Sequence, residues 1–266
     1  MKKSASDFTA VLIYVDDLLI TSNSLPAIQS LKIILHDVFT IKDLGDARYF
    51  LGMELTRSAH GITLFQRKYA LHIIEDTGLS NAKPVSCPLD PAIKPDYSDL
   101  YHDPTAYRRL IGRLVYLSNT QPDISFSVRL LSQFLETPMI EHHQAALRIL
   151  KYVKLSPALG LFFPHNSDHK LTGFANADWG SCLDTRRSTI GYCFFYGQAL
   201  ISWKSKKQHT VARSSAEAEY HSLAAATCEA QWLSYLLADL HLSLTEPITL
   251  FCDNRSAIHI ANNPVS

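Results

Sequence analysis

No Cys-x-x-Cys pair occurs in this sequence, and its five cysteines (Cys87, Cys182, Cys193, Cys228 and Cys252) are scattered and odd in number. That excludes a disulfide framework and a cysteine-based zinc site, and it points to a reducing compartment. The 12 histidines show no zinc-finger spacing to cysteine, His142-His143 being the one adjacent pair, so they read as surface or internally satisfied groups. Charge of one sign is not in surplus either, because 25 basic and 25 acidic side chains cancel. A nucleic-acid binder usually carries a basic excess, so any such surface here must be local. No uninterrupted apolar run approaches the ~20 residues that cross a bilayer. Met1-Lys2-Lys3 leads into Ser4-Ala5-Ser6-Asp7 rather than an apolar segment, so no secretory signal is expected. Internal repeats and low-complexity tracts are missing as well. The expectation is a soluble intracellular protein, cytoplasmic or nuclear, with no membrane partner.

What is present is a chain of 266 residues, 47% hydrophobic and 19% charged, which is enough to bury a real core. Its most informative feature lies near the start. Tyr14-Val15-Asp16-Asp17 is wedged between the apolar runs Val11-Leu12-Ile13 and Leu18-Leu19-Ile20. These runs read as two short buried strands, with the Asp pair at the reversal between them. Two ionised carboxylates near a core are costly unless a cation or donors meet them. A hairpin tip presenting paired Asp to Mg²⁺ suits phosphoryl transfer; a polar turn with two solvated Asp is the alternative.

Beyond the hairpin, Ser24 and Pro26 mark a helix start, and Ile28, Leu31, Ile34 or Leu35, and Val38 keep helical spacing to Phe39. Tyr49 to Leu55 and Gly61 to Phe65 read as a strand pair, followed by a helix around Lys68 to Thr77 that stops at Gly78. Pro84, Pro88, Pro91, Pro95 and Pro104 preclude a regular element and mark a linker. Tyr107, Leu110, Ile111 and Leu114 follow the i, i+3, i+4, i+7 pattern, as do Ala146, Ile149, Leu150 and Val153, which predicts a small helical subdomain. A second boundary is expected near Pro164 to Asp168. Past it come strand-like runs at Leu171 to Ala177, Thr189 to Tyr196 and Ala199 to Trp203. A long helix from about Ser214, a strand at Ile248 to Asp253 and a further helix complete the chain. Three strands, helix, strand, helix predicts an α/β layer on a mixed sheet.

The second half carries an ordered set of motifs: Ala177-Asp178-Trp179-Gly180, Asp184-Thr185-Arg186-Arg187-Ser188-Thr189, Ile201 to Gln208, Ser214-Ser215-Ala216-Glu217-Ala218-Glu219-Tyr220 and Phe251-Cys252-Asp253-Asn254-Arg255-Ser256-Ala257. In that order they resemble the RNase H domain of copia-type LTR retrotransposon Pol polyproteins. Upstream, Tyr14 to Asp17, Lys42-Asp43-Leu44-Gly45, Tyr49 to Glu54 and Gln121-Pro122-Asp123-Ile124-Ser125 resemble the reverse transcriptase of the same family. The resemblance covers nearly the whole chain from about Phe8.

It implies an α/β (α+β) fold in three parts: a partial palm with a primer-grip-like hairpin over 1–90, a helical thumb or connection over 91–165, and an RNase H-like mixed-sheet domain over 166–266. The implied activities are RNA-templated DNA synthesis and hydrolysis of RNA in RNA–DNA hybrids. The implied partners are hybrid or template-primer and other parts of the polyprotein; the implied cofactor is Mg²⁺ in two-metal sites. Asp16 and Asp17 match the palm carboxylates, with Asp16 favoured because neighbouring strand residues face opposite sides. Phe50 to Leu55 matches the primer grip, although strand packing would equally explain Met53 and Glu54. Glu219 matches the RNase H ligand on the first helix. Glu217, two residues away, points about 200° round the helix and reads as solvated charge. Asp253 matches the ligand on the fourth strand; serving as the N-cap of the next helix is not exclusive with that role. Arg186, Arg187, Lys204, Lys206, Lys207 and Arg213 would lie along a nucleic-acid backbone, or else be solvated on an exposed hairpin.

Two departures lead to an expectation of impaired catalysis. The family pattern before Trp179 is Asp-x-Asp-Trp, and its first Asp, a metal ligand, is replaced by Asn176. Asp178 shares that strand face and is the one candidate to replace the lost metal ligand, but it sits about 6.6 Å along, so a structural role is the favoured expectation for it. The sequence is also expected to stop short of the fourth RNase H acid and to lack the fingers and the third polymerase Asp. On this reading, several catalytic carboxylates are missing, and the alternative is a non-catalytic relic or adopted module that binds hybrid.

Overall fold

The computed structural model describes residues 8–89, 99–182, 184–242, 244 and 246–263. Two compact units emerge, Met1–Thr56 and Arg57–Ser266.

In the first unit, β1 (Thr9–Tyr14) pairs antiparallel with β2 (Asp17–Ser22), and Tyr14 lies opposite Asp17. The connection is therefore the two-residue turn Val15-Asp16. Such turns need a positive φ, and Val15 adopts 52°, which a β-branched residue rarely does. Helix α1 (Leu25–Phe39) takes Pro26 in its first turn, where the missing N–H costs nothing, and ends on Thr40 in the left-handed region. The strand expected over Tyr49 to Leu55 is broken into β3 (Tyr49–Phe50) and the start of β4 (Met53–Ser58). Leu51 and Gly52, with φ 49° and 74°, reverse the chain between them. One expectation needs correcting here. The hairpin strands are not buried: Leu12 and Ile13 are 55% and 66% exposed, and α1 buries none of its residues.

In the second unit β5 (Gly61–Phe65) leads into α2 (Arg67–Asp76). Helices α3 (Pro104–Leu117), α4 (Ser125–Leu131) and α5 (Ile140–Val153) follow. Residues 90–98 of the proline-rich segment lie outside the described residues. The helical periodicity read from sequence is what packs: Ile73, Tyr107, Ile111, Leu114, Ile149 and Leu150 form the centre of one core. Asp103 caps α3 by accepting from the Ala106 N–H at 2.9 Å. The Lys154 ammonium donates to the carbonyls of Leu79, Ser80 and Ala82 at 3.2, 2.6 and 2.7 Å, closing the loop after α2. Strand β6 (Gly160–Pro164) pairs antiparallel with β5, a pairing not anticipated from sequence. A Cβ on Gly61 would lie 2.1 Å from the Phe163 carbonyl oxygen, and one on Gly160 2.2 Å from that of Leu64, so both glycines permit the approach.

Strands β7 (Leu171–Asp178), β8 (Thr189–Tyr196) and β9 (Ala199–Lys207) form an antiparallel meander. Helix α6 (Ser215–Asp239) then crosses back to β10 (Thr249–Phe251), which lies parallel to β7, before α7 (Arg255–Asn262). The sheet order is β10-β7-β8-β9. Only one face is covered by α6: Leu171, Ala175 and Phe194 pack on Leu223, Ala226, Ala230 and Leu233. Ser214 caps α6, its hydroxyl accepting from the Glu217 N–H, while the Glu217 carboxylate accepts from the Arg213 N–H at 2.7 Å. Glu217 is thus a capping group rather than a freely solvated charge. The helices and the meander meet within this unit, where the Trp203 indole N–H donates to the Ser125 hydroxyl at 3.0 Å. The whole is a mixed α/β fold with seven α-helices among the described residues, none of them long and apolar enough to cross a membrane.

His142 gives this core a pH dependence. It is 6% exposed, stacks on Phe134 at 3.7 Å, and its Nδ1 accepts from the Met139 N–H at 3.1 Å. Burial lowers its pKa. A depressed folded value contributes stability above the unfolded pKa of about 6.5, lost as pH falls through the folded one. Urea denaturation of the whole chain should show stability declining below about pH 6.5, and His142→Gln should flatten that slope.

Candidate metal and nucleic-acid site

The end of the sheet where β7 and β10 run parallel gathers the acidic groups. Phe251 lies opposite Phe174, which brings the residues after β10 beside Asn176 and its neighbours. Helix α6 is fastened to β7 by two side chains one turn apart. Glu219 Oε1 accepts from the Ala177 N–H at 2.9 Å, and the Ser222 hydroxyl donates to the Asn176 carbonyl at 2.8 Å. Glu219 is only 6% exposed. Its other oxygen faces the Cys252 thiol, Sγ lying 3.8 Å away. Donor atoms of Glu219, Cys252 and exposed Asp253 all fall within 4.8 Å of one another, the one such metal-capable group among the described residues.

Electrostatics follow from that geometry. Burial pushes the Glu219 carboxyl above its usual range, the Asp253 charge adds to the rise, and the Ala177 N–H partly opposes it. Burial likewise raises the Cys252 thiol, with both carboxylates contributing. A buried carboxylate beside a second one, with no cationic side chain among the described residues holding it, favours either a proton or a divalent cation. Two hard oxygen donors suit one such ion. Asn176 offers an amide in place of a third carboxylate. Asp178, also exposed, lies two residues further along the strand. Asp253 does not cap α7, contrary to one expectation; the Asn254 side chain does, accepting from the Ala257 N–H at 2.9 Å. Cys252 was not anticipated as a neighbour of Glu219, although its place directly before Asp253 was a readable signal.

Asp16 sits in the β1–β2 turn and Asp17 opens β2, both exposed within the first unit. The six basic residues do not form one strip. Register sets Lys204 opposite Tyr192 and Lys206 opposite Ile190, on the sheet face that α6 covers. Lys207 lies opposite Thr189 on the open face, its ammonium 3.3 Å from the Cys182 sulfur. Burial works to raise the Cys182 thiol, but hydrogen bonds from Thr185 and the Lys207 charge bring it below its ordinary value. Arg186 and Arg187 occupy the loop before β8, Arg186 with φ 54°, and exposed Arg213 precedes α6. The expected exposed lysine hairpin is instead the far end of β9, the edge strand of the meander, with Trp203 half-buried.

Comparison with known proteins places these features among relatives. Residues 1–91 match the family described as reverse transcriptase (RNA-dependent DNA polymerase). The chain is 42% identical over 260 residues to the retrovirus-related Pol polyprotein from transposon RE1 of Arabidopsis thaliana, covering 96% of this chain and 18% of that protein. It is 36% identical over 273 residues to the corresponding polyprotein from transposon TNT 1-94 of Nicotiana tabacum, of which it spans 20%. It is also 40% identical over 225 residues to the uncharacterized mitochondrial protein AtMg00810 of Arabidopsis thaliana, covering 84% of this chain and 94% of that protein. The chain thus spans about a fifth of the length of the polyproteins it resembles. No solved structure matches it.

Glu219 makes a direct test of the geometry. Glu219→Gln keeps an acceptor for the Ala177 N–H and should fold with nearly unchanged stability, whereas Glu219→Ala should cost about 1–3 kcal/mol by leaving that buried donor unmet. Because the folded pKa is raised, the native state holds the extra proton, so in chelator stability should fall as pH rises above the ordinary glutamate value of about 4.3. Denaturation curves of Glu219→Gln should lack that decline.

Proposed function

This chain belongs to the copia-type, retrovirus-related Pol polyprotein family of transposons and carries a reverse transcriptase domain segment at residues 1–91. From that premise we propose that it binds RNA–DNA hybrid through an RNase H-like module whose hydrolytic activity is impaired. In this reading residues 1–90 are part of a polymerase palm carrying Asp16 and Asp17, 91–165 a thumb or connection, and 166–266 the RNase H-like module. The convergence of Glu219 and Asp253 at the β7–β10 end is the observation that carries it.

Glu219 and Asp253 would hold a magnesium ion, whose chemistry when bound is Lewis-acid stabilisation of a phosphoryl oxygen. The chain's own contributions are more specific. The Ala177 N–H orients the Glu219 carboxylate, and Ser222 fixes the strand beside it. Arg186, Arg187, Lys207 and Arg213 supply phosphate contacts that position without reading sequence. Lys204 and Lys206 belong to the same proposal only if hybrid also reaches the edge of the α6 face.

Asn176 supports impairment, because an amide cannot bridge two cations as a carboxylate does. The same residue favours the second reading, a module that binds hybrid without cutting it. Labelled RNA–DNA hybrid with Mg²⁺ should be shifted on a gel by the whole chain and cut slowly or not at all. Asn176→Asp should raise cleavage on the order of 10²-fold, and adding Glu219→Gln should abolish the gain. Folded protein that neither shifts hybrid nor gains cleavage through Asn176→Asp would overturn the proposal.

A further inference from the structure

We propose that the cluster after β10 takes a thiophilic divalent ion of the zinc type in preference to magnesium, with the Cys252 sulfur as its third ligand. The inference rests on the metal reading of Glu219 and Asp253 above. Among the described residues, Cys252 is the one cysteine whose sulfur and two carboxylates all lie within 4.8 Å of one another. Glu219 is more than nine-tenths buried, and its Oε1 is taken by the Ala177 N–H. Its Oε2 receives no N–H or O–H among the described residues and faces only the Cys252 sulfur, 3.8 Å away. A four-coordinate ion with bonds of about 2.1 Å to oxygen and about 2.3 Å to sulfur holds such a pair about 3.6 Å apart. The buried oxygen and the sulfur are therefore already spaced for one ion. The exposed Asp253 carboxylate supplies the second oxygen, and a fourth position stays open to water or a phosphoryl oxygen.

Donor chemistry selects the ion. Magnesium takes oxygen donors in near-octahedral geometry and gains nothing from sulfur. Zinc and cobalt bond thiolate and carboxylate together. Binding exchanges the thiol proton for the ion: the sulfur keeps the S–H electron pair, donates it to the metal, and the proton leaves to water. Asn176 provides no charge for two magnesium ions to share, whereas a single ion needs no bridging group. A zinc-type ion and magnesium would compete for the same two carboxylates, so the first would silence whatever hydrolysis the second supports. The other thiols lack this company. The Cys182 sulfur lies 3.3 Å from the Lys207 ammonium, which repels a cation, and Cys87 and Cys228 are exposed. All three donors belong to this chain, and an acid brought to the cluster by adjoining sequence would add an oxygen and leave the sulfur in place.

The test titrates the metal-free whole chain with Co²⁺, a zinc substitute that shows a thiolate-to-metal charge-transfer band in the near ultraviolet. One equivalent should raise the band, Zn²⁺ should bleach it, and a large excess of Mg²⁺ should not. Cys252→Ser and Glu219→Gln should each abolish the band, while the double variant Cys87→Ser, Cys228→Ser should keep it. Mn²⁺ prefers oxygen and so reads the carboxylates alone. Its free-ion EPR signal should fall equally with the parent and with Cys252→Ser, which also shows that this variant folds. No cobalt band, a band that survives in Cys252→Ser, or bleaching by Mg²⁺ as readily as by Zn²⁺ would overturn the inference. Loss of Mn²⁺ binding together with the band in Cys252→Ser would mark a packing role for the thiol and overturn it as well. Mn²⁺ bound without a cobalt band leaves the carboxylate site standing and removes the sulfur; if neither ion binds, the metal reading itself has failed.

Discussion

The contact on which the sheet half of the molecule depends is the double fastening of α6 to β7. Glu219 takes the Ala177 N–H and Ser222 gives to the Asn176 carbonyl, so one helical turn grips two consecutive peptide groups of a strand. Hydrophobic packing of Leu223, Ala226 and Ala230 on the sheet supplies the area, but apolar contact is not directional. The polar pair sets where along β7 the helix rests. That same position decides which carboxylate reaches the residues after β10. Structure and chemistry thus share one side chain, and a Glu219 oriented by a backbone donor is already aimed before any ligand arrives.

Burial is the counterweight. A carboxylate nine-tenths enclosed, beside a second acid and a thiol, is electrostatically incomplete, as its raised proton affinity records. Asn176, on the neighbouring strand β7, brings no charge of its own and adds nothing to that repulsion.

Much of this was legible in the sequence, and the parts that were not share a cause. Helical periodicity located α3 and α5 residue by residue, because Tyr107, Leu110, Ile111 and Leu114 had one stripe to bury. The meander strands and the start of α6 were equally plain, Ser214 serving as its cap. Glu219 and Asp253 were paired by motif order, which composition could not have done. Properties fixed by distant partners stayed hidden. Gly160 to Pro164 was not read as a strand, because only its pairing with β5 makes it one. The basic residues looked like one patch because alternation along β9 separates Lys204 and Lys206 from Lys207 only once the register is known. The exposure of Leu12 and Ile13 was misread because apolar character signals burial only on average.

The β5–β6 pairing carries a consequence for how the protein is made. Gly61 lies opposite Pro164, so the two strands are about a hundred residues apart in the chain. At roughly 5–20 residues added per second, β5 leaves the ribosome about 5–20 s before its partner does. Through that interval its edge offers unpaired N–H and C=O groups to any strand nearby. The helices between the two strands can condense from local contacts in the meantime. Their packing brings the chain back toward β5 as β6 emerges, so the order of synthesis itself shelters the strand that must wait longest.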